Sequence, residues 1–399
     1  MSIDNQQIYD CIIIGAGISG ISFAASLKDK GQNILIVEKE NRIGGHIQSY
    51  ISKTDGNFWF ELGAHTCYNS YTSLLTILDD KSIVKELGKG SYITYKEGKL
   101  KSIASQVNYL SMLTHFFRYF TADRTDKTVQ EYFTPIVGAK NYKKLFSRAF
   151  RAVICQPADL YPADLFLKRR NGRNENFPRK FSFQKGISSF LQSLVDNLHI
   201  QIQFETYITD IKKSDSGDYL LKTNDGQTIL TKRIAFATES KTTSSLLKDI
   251  EPAVSKLLNT IEMSKSTTIA IVVKKDACKI KPIAGIIPVS DNFMSVVTRD
   301  LIDHDDLRAF VFHFMGDNAT FEGKESEICK VLGIQPEDII EHISMRHSLP
   351  SLRKEHINME QQIENARIDD NIYIVGNYFY GLSLEDCVNR ALDEQRRYK

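Results

Sequence analysis

Three glycines and one carboxylate near the start of the chain have the types and spacing to hold a dinucleotide. The glycines lie in Gly15-Ala16-Gly17-Ile18-Ser19-Gly20. The apolar run Cys11-Ile12-Ile13-Ile14 precedes them, and a helix-like stretch over residues 21–28 follows. A strand feeding a tight turn feeding a helix makes an anion site, because the helix N-terminus exposes unpaired N–H groups and a partial positive charge. Gly15 permits the turn, Gly17 lets a pyrophosphate approach the backbone, and Gly20 lets the helix pack close to the strand. A second apolar run, Ile34-Leu35-Ile36-Val37, ends on Glu38. A carboxylate there can accept hydrogen bonds from a ribose 2′-OH and would repel a 2′-phosphate. Glycines cluster in ordinary loops too, but strand, helix and acid in this order favour a bound dinucleotide over a bare turn.

The next residues narrow the ligand. Arg42-Ile43-Gly44-Gly45 resembles the extended fingerprint of the glutathione-reductase-like flavoproteins, in the amine oxidase and protoporphyrinogen oxidase branch. The resemblance implies FAD rather than NAD. It runs Gly44 and Gly45 beneath the pyrophosphate and ribityl chain and sets Lys39 and Arg42 beside the nucleotide. That branch usually has arginine after the two glycines. This chain has His46, and UDP-galactopyranose mutases also depart from arginine there.

The resemblance extends along the chain. Glu61-Leu62-Gly63-Ala64-His65 is similar to the family segment along the flavin ring. Phe183-Gln-Lys-Gly186-Ile187 is similar to a glycine turn before a helix. Tyr207-Ile208-Thr209-Asp210-Ile211 resembles the strand whose backbone holds the adenine. Ile234-Ala-Phe-Ala237-Thr238 resembles the strand closing the nucleotide side. Near the end, Ile372-Tyr-Ile-Val-Gly376-Asn377 and Gly381-Leu382-Ser383-Leu384-Glu385-Asp386-Cys387 resemble the protoporphyrinogen oxidase ending. Residues 283–288 and 348–350 are weaker matches to the same branch. Residues 384–396 read as a helix whose N-terminus would aim at the flavin, where partial positive charge stabilises the reduced ring. Gly376 allows close backbone approach, and Asn377 offers polar contacts.

These groups need elements to position them. Strand-type runs recur at residues 92–95, 200–206, 219–223, 234–238, 267–273, 309–314 and 372–375, and Asn224-Asp225-Gly226 is a hairpin signal. Helical patterns fill residues 102–167, and another helix opens near Gly186 with Ser188 and Ser189 at its start. The expected fold is α/β: a discontinuous Rossmann-like FAD-binding domain (residues 1–75, 185–245 and 359–399) with an inserted α+β substrate domain (a mostly helical part, 76–184, and a sheet-rich part, 246–358). Within residues 107–120 the apolar positions follow helical spacing, with His115-Phe116-Phe117-Arg118-Tyr119-Phe120 rich in aromatics. Core packing is the expected use of that face; the alternative is contact with lipid or a large planar substrate.

Composition bounds the partners. The 399 residues are 42% hydrophobic and 25% charged, with 51 basic against 49 acidic side chains; this balance argues against nucleic acid. The six cysteines are scattered with no C-x-x-C pair, which reads as reduced, mostly buried thiols. Residues 1–10 are polar and no run of about 18 apolar residues exists. The expectation is a cytoplasmic protein, with peripheral membrane contact open.

None of the nine histidines has metal-ligand spacing. His65 is the catalytic candidate: a neutral imidazole near the flavin could hydrogen-bond a ring carbonyl or move a proton. His46 is expected on the ribityl or phosphate side, and His313 in the core or pocket wall. Lys274 and Lys275 read as solvated, as does the charge run Lys168-Arg169-Arg170-Asn171-Gly172-Arg173. The resemblance implies an FAD-dependent oxidase or dehydrogenase acting on a small organic molecule, porphyrinogen-like or an amine. Hydride would pass to flavin N5, and dioxygen or another acceptor would reoxidise it. The rival readings are a flavin-dependent mutase resembling UDP-galactopyranose mutase and a non-catalytic flavin binder.

Overall fold

A computed structural model describes residues 7–78, 81–170, 172–290 and 292–398; the first six residues of the polar N-terminal stretch lie outside the described residues. Five short strands build a parallel sheet: β1 (Cys11–Ile14), β2 (Ile34–Val37), β3 (Gln201–Gln203), β4 (Ile234–Phe236) and β5 (Ile372–Ile374). Their order is β3-β2-β1-β4-β5. β1 and β4 are apolar at every position because both faces are covered, as parallel sheets require. Cys11 and Ile13 enter one core cluster, Ile12 and Ile14 another. The first cluster holds the helices α1 (Ile18–Leu27), α2 (Ile187–Asn197) and α3 (Leu384–Gln395). The second holds the hairpin strands Tyr219–Thr223 and Thr228–Thr231, joined across the Asn224-Asp225-Gly226 turn.

The last strand and helix are pinned to the sheet by buried charge. Glu394 meets Arg367 at 2.8 Å and Arg390 at 2.5 Å, all three nearly sealed from solvent. Arg390 Nε donates to the Ile374 carbonyl at 3.0 Å, and the Ile374 N–H donates to Glu394 at 3.2 Å. Ser383 caps α3 in a reciprocal box with Asp386.

Above the cofactor-type sheet stands a mostly antiparallel seven-stranded sheet. Its order is Ile339–Ser351, Glu262–Lys274, Leu307–Met315, Phe293–Thr298, Gly285–Pro288, Tyr92–Lys96, Lys99–Ser102. The second strand runs from Glu262 rather than residue 267, and it pairs on both sides. That register sets Thr268 opposite His313 on one neighbour and Met345 on the other, and Ser266 opposite His347.

Two expectations fail. Residues 107–120 are not core: a helix spans Tyr109–His115 and a three-residue-per-turn helix continues over Phe116–Phe120. Leu110, Phe117 and Phe120 are 73–74% exposed. The face turned to the protein is carried by Ser111, Met112 and His115, which are half-buried, and the apolar side chains are left on the outer face. The charge run is not simply solvated either. Lys168 and Arg170 reach the Asp386 carboxylate at 3.3 and 3.4 Å.

Candidate active site

The turn after β1 and the turn after β2 lie against each other. The Gly44 N–H donates to the Ala16 carbonyl at 2.8 Å, and Gly17 and Gly44 form a parallel bridge. Gly15 takes a φ of +107°, where a Cβ would sit 2.8 Å from the Ala237 carbonyl oxygen, and a Cβ on Gly20 would collide with the Gly15 carbonyl oxygen. These two glycines serve the fold. Gly17 differs: its φ is −74°, and a Cβ there would meet no protein atom within 4 Å. The space above it is open.

Two charged side chains hold this cradle in shape. Glu38 is buried and accepts from the Ala16 N–H at 2.7 Å and the Glu40 N–H at 2.9 Å. Glu38 also lines the cavity, and a carboxylate has lone pairs beyond these two. Arg42 donates to the carbonyls of Ile43, Gly45 and Ile47 at 2.9 to 3.3 Å, bracing the Gly44-Gly45 turn.

One cavity of about 1030 Å³ runs from this cradle to the seven-stranded sheet. It exceeds the usual range for a single small ligand, about 300–1,000 Å³, and so has room for a cofactor and a substrate. Gly15, Gly17, Ile18, Ser19, Glu38, Lys39, Arg42, Gly44, Gly45 and His46 line it. So do Leu62, Gly63, Ala64, His65, Ile208, Ala237, Thr238, Gly376, Asn377, Leu382, Ser383 and Leu384. Gly20 and Gly381 are not on its wall. Gly20 sits behind the turn, and Gly381, at φ +130°, packs toward the Asp386 carboxylate and shapes the approach to α3.

The far wall carries imidazoles. The rings of His65 and His313 meet edge to face at 5.6 Å, and those of His46 and His347 lie 5.7 Å apart. His313 Nδ1 is 3.1 Å from the Ser295 hydroxyl, and His347 Nε2 is 2.9 Å from that of Thr268. Burial lowers His65 to about 4, and the neighbouring His347 adds to this. Burial likewise lowers His313 and His347 to about 3. These rings are neutral near pH 7. His65 Nε2 is sealed from solvent and has no hydrogen-bond partner in the protein. Among the described residues, no histidine, cysteine or carboxylate cluster is arranged to hold a metal.

Beside them, burial raises Glu61 to about 7, against the opposing pull of the Ser49 hydroxyl and the Ile187 N–H at 2.7 Å each. The Arg299 guanidinium stacks over the Trp59 ring at 4.5 Å and donates to the carbonyls of Trp59 and Ile302. Burial lowers it to about 10. Arg299, Trp59 and His347 line the cavity but carry no local motif. The nearest sequence signal is a charged or polar residue closing or interrupting an apolar strand.

A bound FAD fits what is present. Gly17 offers open backbone, the cavity has the volume, and His65 and the start of α3 line it. A profile of the flavin-containing amine oxidoreductase family matches residues 18–279, about two thirds of the chain. The chain belongs to that family, whose cofactor is FAD. It is 22% identical to the chloroplast protoporphyrinogen oxidase 1 of Spinacia oleracea over 328 residues, 68% of this chain and 58% of that one. The chain thus spans less than two thirds of that relative. By fold it is similar to a protein of Exiguobacterium sp. 255-15 provisionally named a protoporphyrinogen oxidase, with TM-score 0.77, 17% identity and coverage of 98% and 99%. It is also similar to the cyclohexylamine oxidase of Brevibacterium oxydans IH-35A, with TM-score 0.70, 14% identity and coverage of 98% and 100%.

Proposed function

We propose that this chain is an FAD-dependent oxidoreductase that removes a hydride from a small organic molecule, with dioxygen or another acceptor closing the cycle. The observation that carries it is the single cavity joining the glycine cradle to the imidazole wall. Flavin bound there supplies the hydride-accepting centre. In this reading Gly15, Gly17, Gly44, Gly45, Gly376, Asn377 and the start of α3 hold the cofactor. Glu38 takes the ribose, and Ile208, Ala237 and Thr238 flank the nucleotide. Trp59, Val311 and Met345, on the cavity wall, exclude water from the reacting bond. His65, on the cavity wall, gives or takes a proton.

A porphyrinogen-like substrate is the leading class, supported by the spinach relative; an amine is the other. Photoreduction without oxygen, followed by oxygen uptake with porphyrinogens and amines, tests the proposal. A flavin that turns substrate over only when pre-reduced would replace oxidation with a mutase-type reaction. A protein that cannot be loaded with FAD would end both readings.

We also propose peripheral contact with an anionic lipid surface through residues 109–120. Among the described residues no helix is long and apolar enough to cross a membrane. Yet Tyr109, Leu110, Leu113, Phe117 and Phe120 project outward, with Lys140, Lys143 and Lys144 exposed on neighbouring turns. Aromatic and aliphatic side chains beside lysines suit an anionic interface.

A further inference from the structure

We propose that Lys168, Arg170 and Asp386 form a salt-sensitive clasp that closes the cavity wall at the start of α3 and keeps an anionic cofactor from leaving. This rests on the cavity being the FAD site, and it gives a use to basic residues that the oxidation itself leaves idle.

The basic stretch follows a short helix, Ala163–Phe166. Residues 168–170 form no helix or strand, and Lys168 and Arg169 are exposed. Among the described residues, no backbone hydrogen bond holds them. The chain is fixed on either side instead. Arg124 donates to the Leu167 carbonyl at 2.7 Å, and the Asn174 N–H donates to the Asn69 carbonyl at 2.9 Å. Between those two points the contacts are made by side chains, all to residues beside α3 or Tyr71. Lys168 lies 3.3 Å from the Asp386 carboxylate and 4.6 Å from the centre of the Tyr380 ring. Arg170 lies 3.4 Å from the same carboxylate and 4.9 Å from the centre of the Tyr71 ring, and it donates to the Ser383 hydroxyl at 2.7 Å.

Lys168, Arg170, Tyr71, Ser383 and Asp386 all line the cavity, so the clasp is part of its wall. Charge decides when it closes. Two cations meet one carboxylate at the N-terminus of α3, and a helix N-terminus itself carries partial positive charge. The closed clasp therefore leaves an excess of positive charge beside the cavity. An anionic diphosphate bound there offsets that excess, so cofactor and closed clasp each favour the other. The side chains of Lys168 and Arg170 are 34% and 19% exposed, so dissolved ions reach the pairs and screen them.

Trypsin reads the clasp without flavin, because Lys168-Arg169-Arg170 offers three consecutive cleavage sites. The purified full chain is digested briefly at about 0.05 M and about 1 M NaCl, and cleavage of a small peptide substrate corrects for the effect of salt on the protease. Nicking at residues 168–170 of the wild type should be about tenfold faster at high salt, the combined worth of two ion pairs and two ring contacts. In Asp386→Asn it should be fast at both concentrations. Loading with FAD should slow nicking of the wild type. Cofactor release is followed as the rise of free-flavin fluorescence. It should accelerate by a similar factor at high salt in the wild type. In Lys168→Gln combined with Arg170→Gln it should be fast and independent of salt. Nicking that ignores salt in the wild type, or release that the double variant leaves unchanged, would overturn the clasp. A protein that loads FAD and gives either result loses only the clasp. A protein that cannot be loaded with FAD loses the flavin reading, and salt-dependent nicking in it still upholds the clasp as a gate to the cavity.

Discussion

Replacing Gly17 by alanine should separate ligand binding from folding. The backbone there has φ −74° and ψ 176°, which alanine adopts freely, and the new methyl would touch no protein atom within 4 Å. Gly17 is the N-cap of α1. Exchanging glycine for alanine at that position costs a few tenths of a kcal/mol to about 1 kcal/mol. Restricting the unfolded chain returns about 0.4–1 kcal/mol. The apoprotein should therefore melt within about 2 °C of wild type. The same change at Gly20 drives a methyl into the Gly15 carbonyl and should cost about 1–3 kcal/mol as overpacking. Cofactor affinity should respond in the opposite order of subtlety. A methyl over Gly17 fills the open space where a pyrophosphate would meet N–H groups. Losing one charge-assisted hydrogen bond, about 1.5–3 kcal/mol, weakens FAD roughly ten- to hundredfold. The assay is flavin-to-protein absorbance after dialysis, FAD titration of the apoprotein, and a thermal melt. Gly17→Ala with wild-type affinity, or melting as low as Gly20→Ala, would refute the cradle.

Glu394→Ala should destabilise the fold by about 3 kcal/mol in urea unfolding, because it strips a buried partner from Arg367 and Arg390 while Glu364 and Glu360 remain to each. His313 and His347, lowered to about 3 by burial, titrate near 6.5 when unfolded. Their contribution is whole above pH 6.5 and declines on acidification toward pH 3, by about 1.4 kcal/mol per pH unit for each. Glu61, raised to about 7, works against them: its contribution is whole below about 4.5 and is lost as pH rises through 7. Urea midpoints between pH 4.5 and 7 should therefore climb more steeply with pH in Glu61→Gln and less steeply in His347→Gln; equal slopes in all three proteins would contradict the assignment. His65→Asn should leave flavin content intact and lower kcat/KM by roughly 10²–10⁴ with a changed pH profile; turnover within about twofold of wild type removes His65 from the chemistry. Leu110→Ser combined with Phe117→Ser should leave the melt unchanged and abolish sedimentation with phosphatidylglycerol vesicles, and persistent sedimentation argues against the lipid face.

The cradle was legible because its constraints are local. A turn that must be glycine at Gly15, and strands that must be apolar on both faces at Cys11–Ile14, leave their mark within a few residues. The opposite wall leaves none. His313 and His347 reach the cavity through the register of a strand that pairs on both sides, and no single stretch encodes that. Arg170 finds Asp386 more than two hundred residues away, so a run of basic residues read as solvated. Residues 109–120 misled in the other direction, since helical spacing states which side chains share a face but not whether anything covers it. Gly381 reads as a contact residue because it sits among them; it lies off the cavity wall, where a Cβ would meet the Asp386 carboxylate.

The parallel sheet has a consequence for how the protein is made. β5 and α3 complete a cradle whose first strand is β1. Roughly 350 residues are polymerised between them, so at about 5–20 residues per second the first half waits on the order of 20–70 s. Until then β4 is an open edge and α1 lacks its partner helix. In the proposed reading cofactor capture waits until α3 has been made, and the nascent chain needs shelter over that interval.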